Sequence, residues 1–185
     1  MGIAHNIHIF RNFITETECE LLTDWIIENI KTNVFNISIQ PGTIRVTTRS
    51  YPYPIKFPTV SYEIQNRIEN ILIEIFKNKN IYTIPKFFDG MYASYGFEGD
   101  KCERHTDPVY IPNHTTYHCN LILTDHQGGR LILDDKEYIL NKKDIILYPV
   151  SLIPHETTKL VGEKARMFWN FGYCISDFED FFKVE

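Results

Sequence analysis

The feature that most constrains this chain begins at Ile81. From there on, residues 81–88, 91–95, 116–123, 130–133, 137–140, 144–147, 156–161 and 165–173 form short β-prone runs. Turn signals separate them: Gly128-Gly129, Asp134-Asp135, Asn141-Lys142 and Gly162-Glu163. Many short strands at even spacing favour a jelly roll or barrel, which leaves few sheet edges unpaired.

The part before Ile81 has a different character. Residues 7–10 predict a short strand. Thr15-Glu16-Thr17-Glu18 fits a capping box, with Ile14 as the preceding staple residue. Beyond it Leu21, Leu22, Trp25, Ile26 and Ile30 recur at helical spacing. A second helix is expected over residues 59–77, with Val60, Ile64, Ile68 and Leu72 on its buried stripe. Between the helices, residues 40–58 carry Pro41, Pro52, Pro54 and Pro58 and read as a long loop with room for a short strand at residues 44–47. Residues 177–184 suggest a last helical turn. The expected fold is therefore mostly β with buttressing helices: a cupin-like jelly roll with two N-terminal helices on one face.

Hydrophobic residues make up 43% and aromatics 14% of the 185 residues, enough for one core. The net charge of −5 disfavours nucleic-acid and anionic-membrane partners, which reward basic surfaces. Apolar runs are too short to span a bilayer. The first residues lack a basic stretch followed by an apolar one, so no secretion signal is expected. Cys19, Cys102, Cys119 and Cys174 are scattered and form no CxxC, consistent with reduced thiols in a cytoplasmic protein.

Three signals carry chemistry. In His105-Thr106-Asp107, residues two apart on an extended segment face the same side, so an imidazole and a carboxylate can grip one metal. Alone the pattern is common by chance, and an isolated histidine is usually an ordinary surface or core residue. Pro154-His155 lies several strands later. Two histidines and one carboxylate form the facial triad of non-haem iron oxygenases, which leaves coordination positions open for a bidentate 2-oxo acid and dioxygen. Arg166 follows a turn at residues 161–164 and would return beside His155. It sits in an apolar strand with Met167, Phe168, Trp169 and Phe171. A buried guanidinium needs an anionic partner, and its fork suits a carboxylate.

The segment from Met91 through Ala93, Tyr95, Gly99 and Arg104 to His105 and Asp107 resembles the metal-binding stretch of the prolyl 4-hydroxylase superfamily, closest to the EGL-nine type, the hypoxia-inducible-factor prolyl hydroxylases. Gly128-Gly129, the run from Asp144 to Pro149, and Pro154-His155-Glu156 follow in the same order. The resemblance implies a double-stranded β-helix, Fe(II), 2-oxoglutarate and dioxygen, with ascorbate as an optional reductant. It implies hydroxylation with release of succinate and CO2. By position, His105, Asp107 and His155 would be the iron ligands, and Arg166 would hold the distal carboxylate of 2-oxoglutarate with help from Tyr95. Where the family often has a second tyrosine after the His-x-Asp loop, this chain offers Asn120 or His118.

On this reading residues 1–185 are a single oxygenase domain: residues 1–80 give helical support and a substrate loop, and residues 81–175 the catalytic core. The loop, with Arg45, Arg49, Tyr51 and Tyr53, would close over the substrate. That substrate is a prolyl or other residue in a peptide or protein, or a free amino acid or small metabolite, handled by a monomer or homodimer. An AlkB-type nucleic-acid demethylase fits less well, because the second arginine expected after Arg166 is Gly172. A halogenase would lack the carboxylate that Asp107 supplies. A non-enzymatic cupin-like module would make the His-x-Asp accidental.

Overall fold

The structure is a computed structural model that describes residues 7–31, 36–40, 43–47, 57–77, 79–83 and 90–176. The helices are α1 (Glu16–Lys31) and α2 (Thr59–Ile75). The strands begin with β1 (His8–Phe10), β2 (Asn36–Gln40), β3 (Thr43–Thr47), β4 (Ile81–Thr83), β5 (Met91–Gly96), β6 (Cys102–His105) and β7 (His114–Ile122). They continue with β8 (Gln127–Gly128), β9 (Leu131–Leu133), β10 (Lys136–Tyr138), β11 (Ile145–Tyr148), β12 (His155–Thr157), β13 (Leu160–Val161) and β14 (Arg166–Ser176).

The capping box forms as the sequence predicts. The Thr15 N–H donates to Glu18 Oε2 at 2.7 Å, and the Glu18 N–H donates to Thr15 Oγ1 at 3.2 Å. Cys19, Leu22 and Ile26 point inward from α1, whereas Leu21 is 51% exposed and leaves the predicted stripe. Helix α2 buries Val60, Ile64, Ile68 and Leu72, one residue per turn.

The large antiparallel sheet runs β1-β11-β7-β14-β5-β3-β2, with β4 also paired to β14. A smaller antiparallel sheet runs β10-β9-β12-β6. The β9–β10 hairpin turns on Asp134 and Asp135, whose φ values of 46° and 65° suit a tight two-residue connection. Residues of both helices and of the large sheet share one buried cluster. There Trp169 is fully buried, with ring centroids 5.3 Å from Trp25 and 5.7 Å from Phe57. The fold is thus mostly β, with two helices and antiparallel sheets, as expected.

Part of the expected loop between the helices is regular. Strand β3 pairs with β5, Val46 opposite Tyr95, and with β2, Arg45 opposite Ser38. Strand β3 is the short strand expected at residues 44–47, whereas β2, the edge strand beside it, was not expected. Arg49, Tyr51 and Tyr53 lie outside the described residues, as do residues 84–88 of the expected strand and the expected helical turn at 177–184. The four cysteines are all free and buried. Among the described residues, no helix is long and apolar enough to cross a membrane.

Candidate metal centre

Strand β14 shows how the fold builds a site. Successive side chains alternate between faces. Met167, Trp169 and Phe171 join the core beneath the helices, while Arg166, Phe168 and Asn170 line a cavity of about 890 Å³. On the neighbouring β7, Cys119 and Leu121 face the core, and His118 and Asn120 face the cavity. The small sheet closes the opposite side with His105 and His155.

His105 and His155 are directly opposed across β6 and β12, with ring centroids 4.3 Å apart. Asp107 follows β6, and its N–H donates to the Val150 carbonyl at 2.9 Å. Asp107 Oδ1 lies 3.2 Å from His105 Nε2 and 3.8 Å from His155 Nε2. One ligand atom from each of the three residues falls within 4.8 Å of the others. His105 Nδ1 donates to the Glu103 carbonyl at 2.7 Å, and His155 Nδ1 donates to the Ile153 carbonyl at 3.1 Å. A carbonyl can only accept, so in the neutral rings Nδ1 carries the proton and Nε2 is the electron-pair donor. Holding the remote nitrogen is how proteins orient metal-binding histidines. The donor set fits a divalent metal that accepts mixed nitrogen and oxygen ligands, such as Fe(II).

The electrostatics match. The hydrogen bond with Asp107 pushes the His105 imidazole up to about 10. Burial works to raise the Asp107 carboxyl, but the hydrogen bond from His105 and the charges of His118 and His155 bring it below its usual value. A metal ion must displace the proton that His105 holds below that pH. We therefore expect the apparent affinity for Co(II) to rise about tenfold per pH unit across roughly pH 6.5 to 8.5. Titrations at several pH values check this, and a flat profile would argue against His105 as a ligand.

Arg166 opens β14 opposite Gly96 on β5 and is 3% exposed. Its Nη1 donates to the Gly129 carbonyl at 3.1 Å and its Nη2 to Asp100 Oδ2 at 3.2 Å. Asn120 also lines the cavity, its Nδ2 donating to the Tyr148 hydroxyl at 3.0 Å. His118 comes within 3.5 Å of Asp107 Oδ2.

Tyr95 requires a correction. It does not line the cavity but packs against the helix-side core, its ring 4.7 Å from that of Phe97. The physical reason is strand alternation. With Arg166 facing the cavity opposite Gly96, the same face of β5 carries Ser94 and Tyr92, and Tyr95 points away. Tyr92, Asp100 and Tyr148 escaped the sequence reading. Period-two alternation along β5 could have pointed to Tyr92. Asp100 and Tyr148 enter through pairings that no local pattern reveals.

No protein-family model and no curated protein sequence matches the chain. Solved structures do. A prolyl-4-hydroxylase from Pseudomonas putida superimposes with TM-score 0.67 at 12% identity, covering 94% of each chain. A Trichoplax adhaerens prolyl hydroxylase, solved with a hypoxia-inducible-factor peptide fragment, gives TM-score 0.67 at 14% identity, covering 94% of this chain and 84% of that one. HygX from Streptomyces hygroscopicus, solved with nickel and 2-oxoglutarate bound, gives TM-score 0.59 at 10% identity, covering 92% and 83%. The chain thus has the fold that these two prolyl hydroxylases and HygX share.

Proposed function

We propose that the chain is an Fe(II)- and 2-oxoglutarate-dependent oxygenase that hydroxylates a C–H bond, with residues 1–185 as one domain. The observation that carries this reading is the convergence of His105, Asp107 and His155 at the wall of a cavity that also holds a buried arginine. His105 and His155 would present Nε2 and Asp107 its carboxylate to the metal. When bound there, Fe(II) supplies the dioxygen chemistry that couples decarboxylation of 2-oxoglutarate, to succinate and CO2, to oxygen insertion. Arg166 would bind the distal carboxylate of the co-substrate, and Asn120 lies on the same cavity wall to hydrogen-bond it.

The favoured substrate is a prolyl or other residue of a peptide, supported by the likeness to a prolyl hydroxylase solved with a peptide. A second reading is a free amino acid or small metabolite. It draws on the cavity of about 890 Å³, which is in the range that encloses small ligands. Incubating the Fe(II)-loaded protein with 2-oxoglutarate, and with proline-containing peptides or free amino acids, tests both. Succinate release together with a gain of one oxygen on one substrate class is the expected result. Absence of any 2-oxoglutarate-dependent succinate release would overturn the assignment.

A further inference from the structure

Behind Arg166 stands a carboxylate that the proposed reaction does not use. The Asp100 side chain is 1% exposed and pairs with the Arg166 guanidinium, itself 4% exposed. Asp100 does not line the cavity, whereas Arg166 does. The carboxylate therefore holds the guanidinium from its outer side. Its own position is fixed by the backbone. The Asp100 N–H donates to the Phe97 carbonyl at 2.9 Å, and the Asp100 carbonyl accepts from the Leu160 N–H at 2.8 Å. The Gly99 N–H donates to the Leu160 carbonyl at 2.9 Å, so the whole β5–β6 turn is stapled to β13. Gly96 completes the arrangement: a Cβ there would meet Asp100 Oδ2 at 2.3 Å, so only glycine leaves room for the carboxylate.

We propose that Asp100 is a positioning residue that fixes how far the Arg166 guanidinium stands from the His105–Asp107–His155 centre, and thereby sets the chain length of the dicarboxylic 2-oxo acid accepted. The inference rests on the co-substrate reading given above. A pinned arginine and a pinned set of metal ligands would define a ruler: a 2-oxo acid with one more methylene would have to buckle or displace one end. Misfit of one methylene is worth about 10- to 200-fold in discrimination. A buried salt bridge offers little net stability for its desolvation cost, so the role proposed for this one is in geometry and not in stability.

The test compares 2-oxoglutarate with 2-oxoadipate in succinate or glutarate release. Both carry the same distal carboxylate, so any change in local charge affects them alike, and their kcat/KM ratio isolates position. The wild-type chain should prefer 2-oxoglutarate by at least about tenfold, and Asp100→Asn should lower that ratio at least about fivefold. Gly96→Ala keeps the carboxylate but displaces it, and should lower the ratio in the same direction. It carries the test if Asp100→Asn fails to fold. A purely structural role for Asp100 would lower the melting temperature and leave the ratio unchanged, and that result overturns the proposal while the oxygenase reading stands. A wild-type chain that turns over neither acid overturns both.

Discussion

Replacing Asp107 by Ala should abolish 2-oxoglutarate turnover while the fold survives. Among the described residues Asp107 is the only carboxylate of the candidate centre, and His105, His155 and His118 all lie within 3.8 Å of its oxygens. Removing a partner that merely orients a ligand costs about 10- to 100-fold in metal affinity or activity, so loss of a ligand should exceed that range. It also leaves three imidazoles without the anion that balances them. The backbone contact to Val150 survives in the variant, because it uses the Asp107 N–H. Succinate release, Co(II) binding and a thermal melt should be measured side by side. Turnover within tenfold of wild type would remove Asp107 from the metal centre.

The second large effect is expected at Arg166. Arg166→Lys keeps a positive charge but loses the planar fork that spans two carboxylate oxygens. It also gives up simultaneous contact with Asp100 and Gly129, since a lysine carries one nitrogen where the arginine uses Nη1 and Nη2 separately. The KM for 2-oxoglutarate should rise at least about tenfold, equivalent to roughly 1.4 kcal/mol. Lys159 and Lys164 are poor substitutes as anchors, since both are exposed and neither lines the cavity. An unchanged KM would move the anchor to Arg130, which does line the cavity and is paired with Glu137.

Where the sequence was informative, the information was local. The capping box of α1 needs only Thr15 and Glu18, and the structure forms both of its hydrogen bonds. His105 and Asp107 are two residues apart, and the turn at Gly162, with φ of 83°, returns the chain toward β14. Asp100 could not be read in the same way. Its meaning depends on Arg166, far along the chain, and on the missing side chain of Gly96. Strand β6 was hidden because Glu103 and Arg104, both exposed, interrupt its apolar pattern. Tyr95 was placed by resemblance, whereas its direction is decided by the register of β5 against β14. Strand β3 was legible as the short strand at residues 44–47, whereas β2 was not expected and pairs along its length with β3.

The eleven residues of β14 are buried on both faces, yet the two faces answer to different demands. Phe168 and Asn170 look into the cavity, while Trp169 and Phe171 lock the sheet to the helices. Folding and chemistry are thus written in alternate letters of one word. A drift in substrate preference can proceed through positions 168 and 170 without touching the letters that hold the fold. A slip of one residue in pairing would exchange the two sets, burying Arg166 under the helices and turning Trp169 toward the metal ligands.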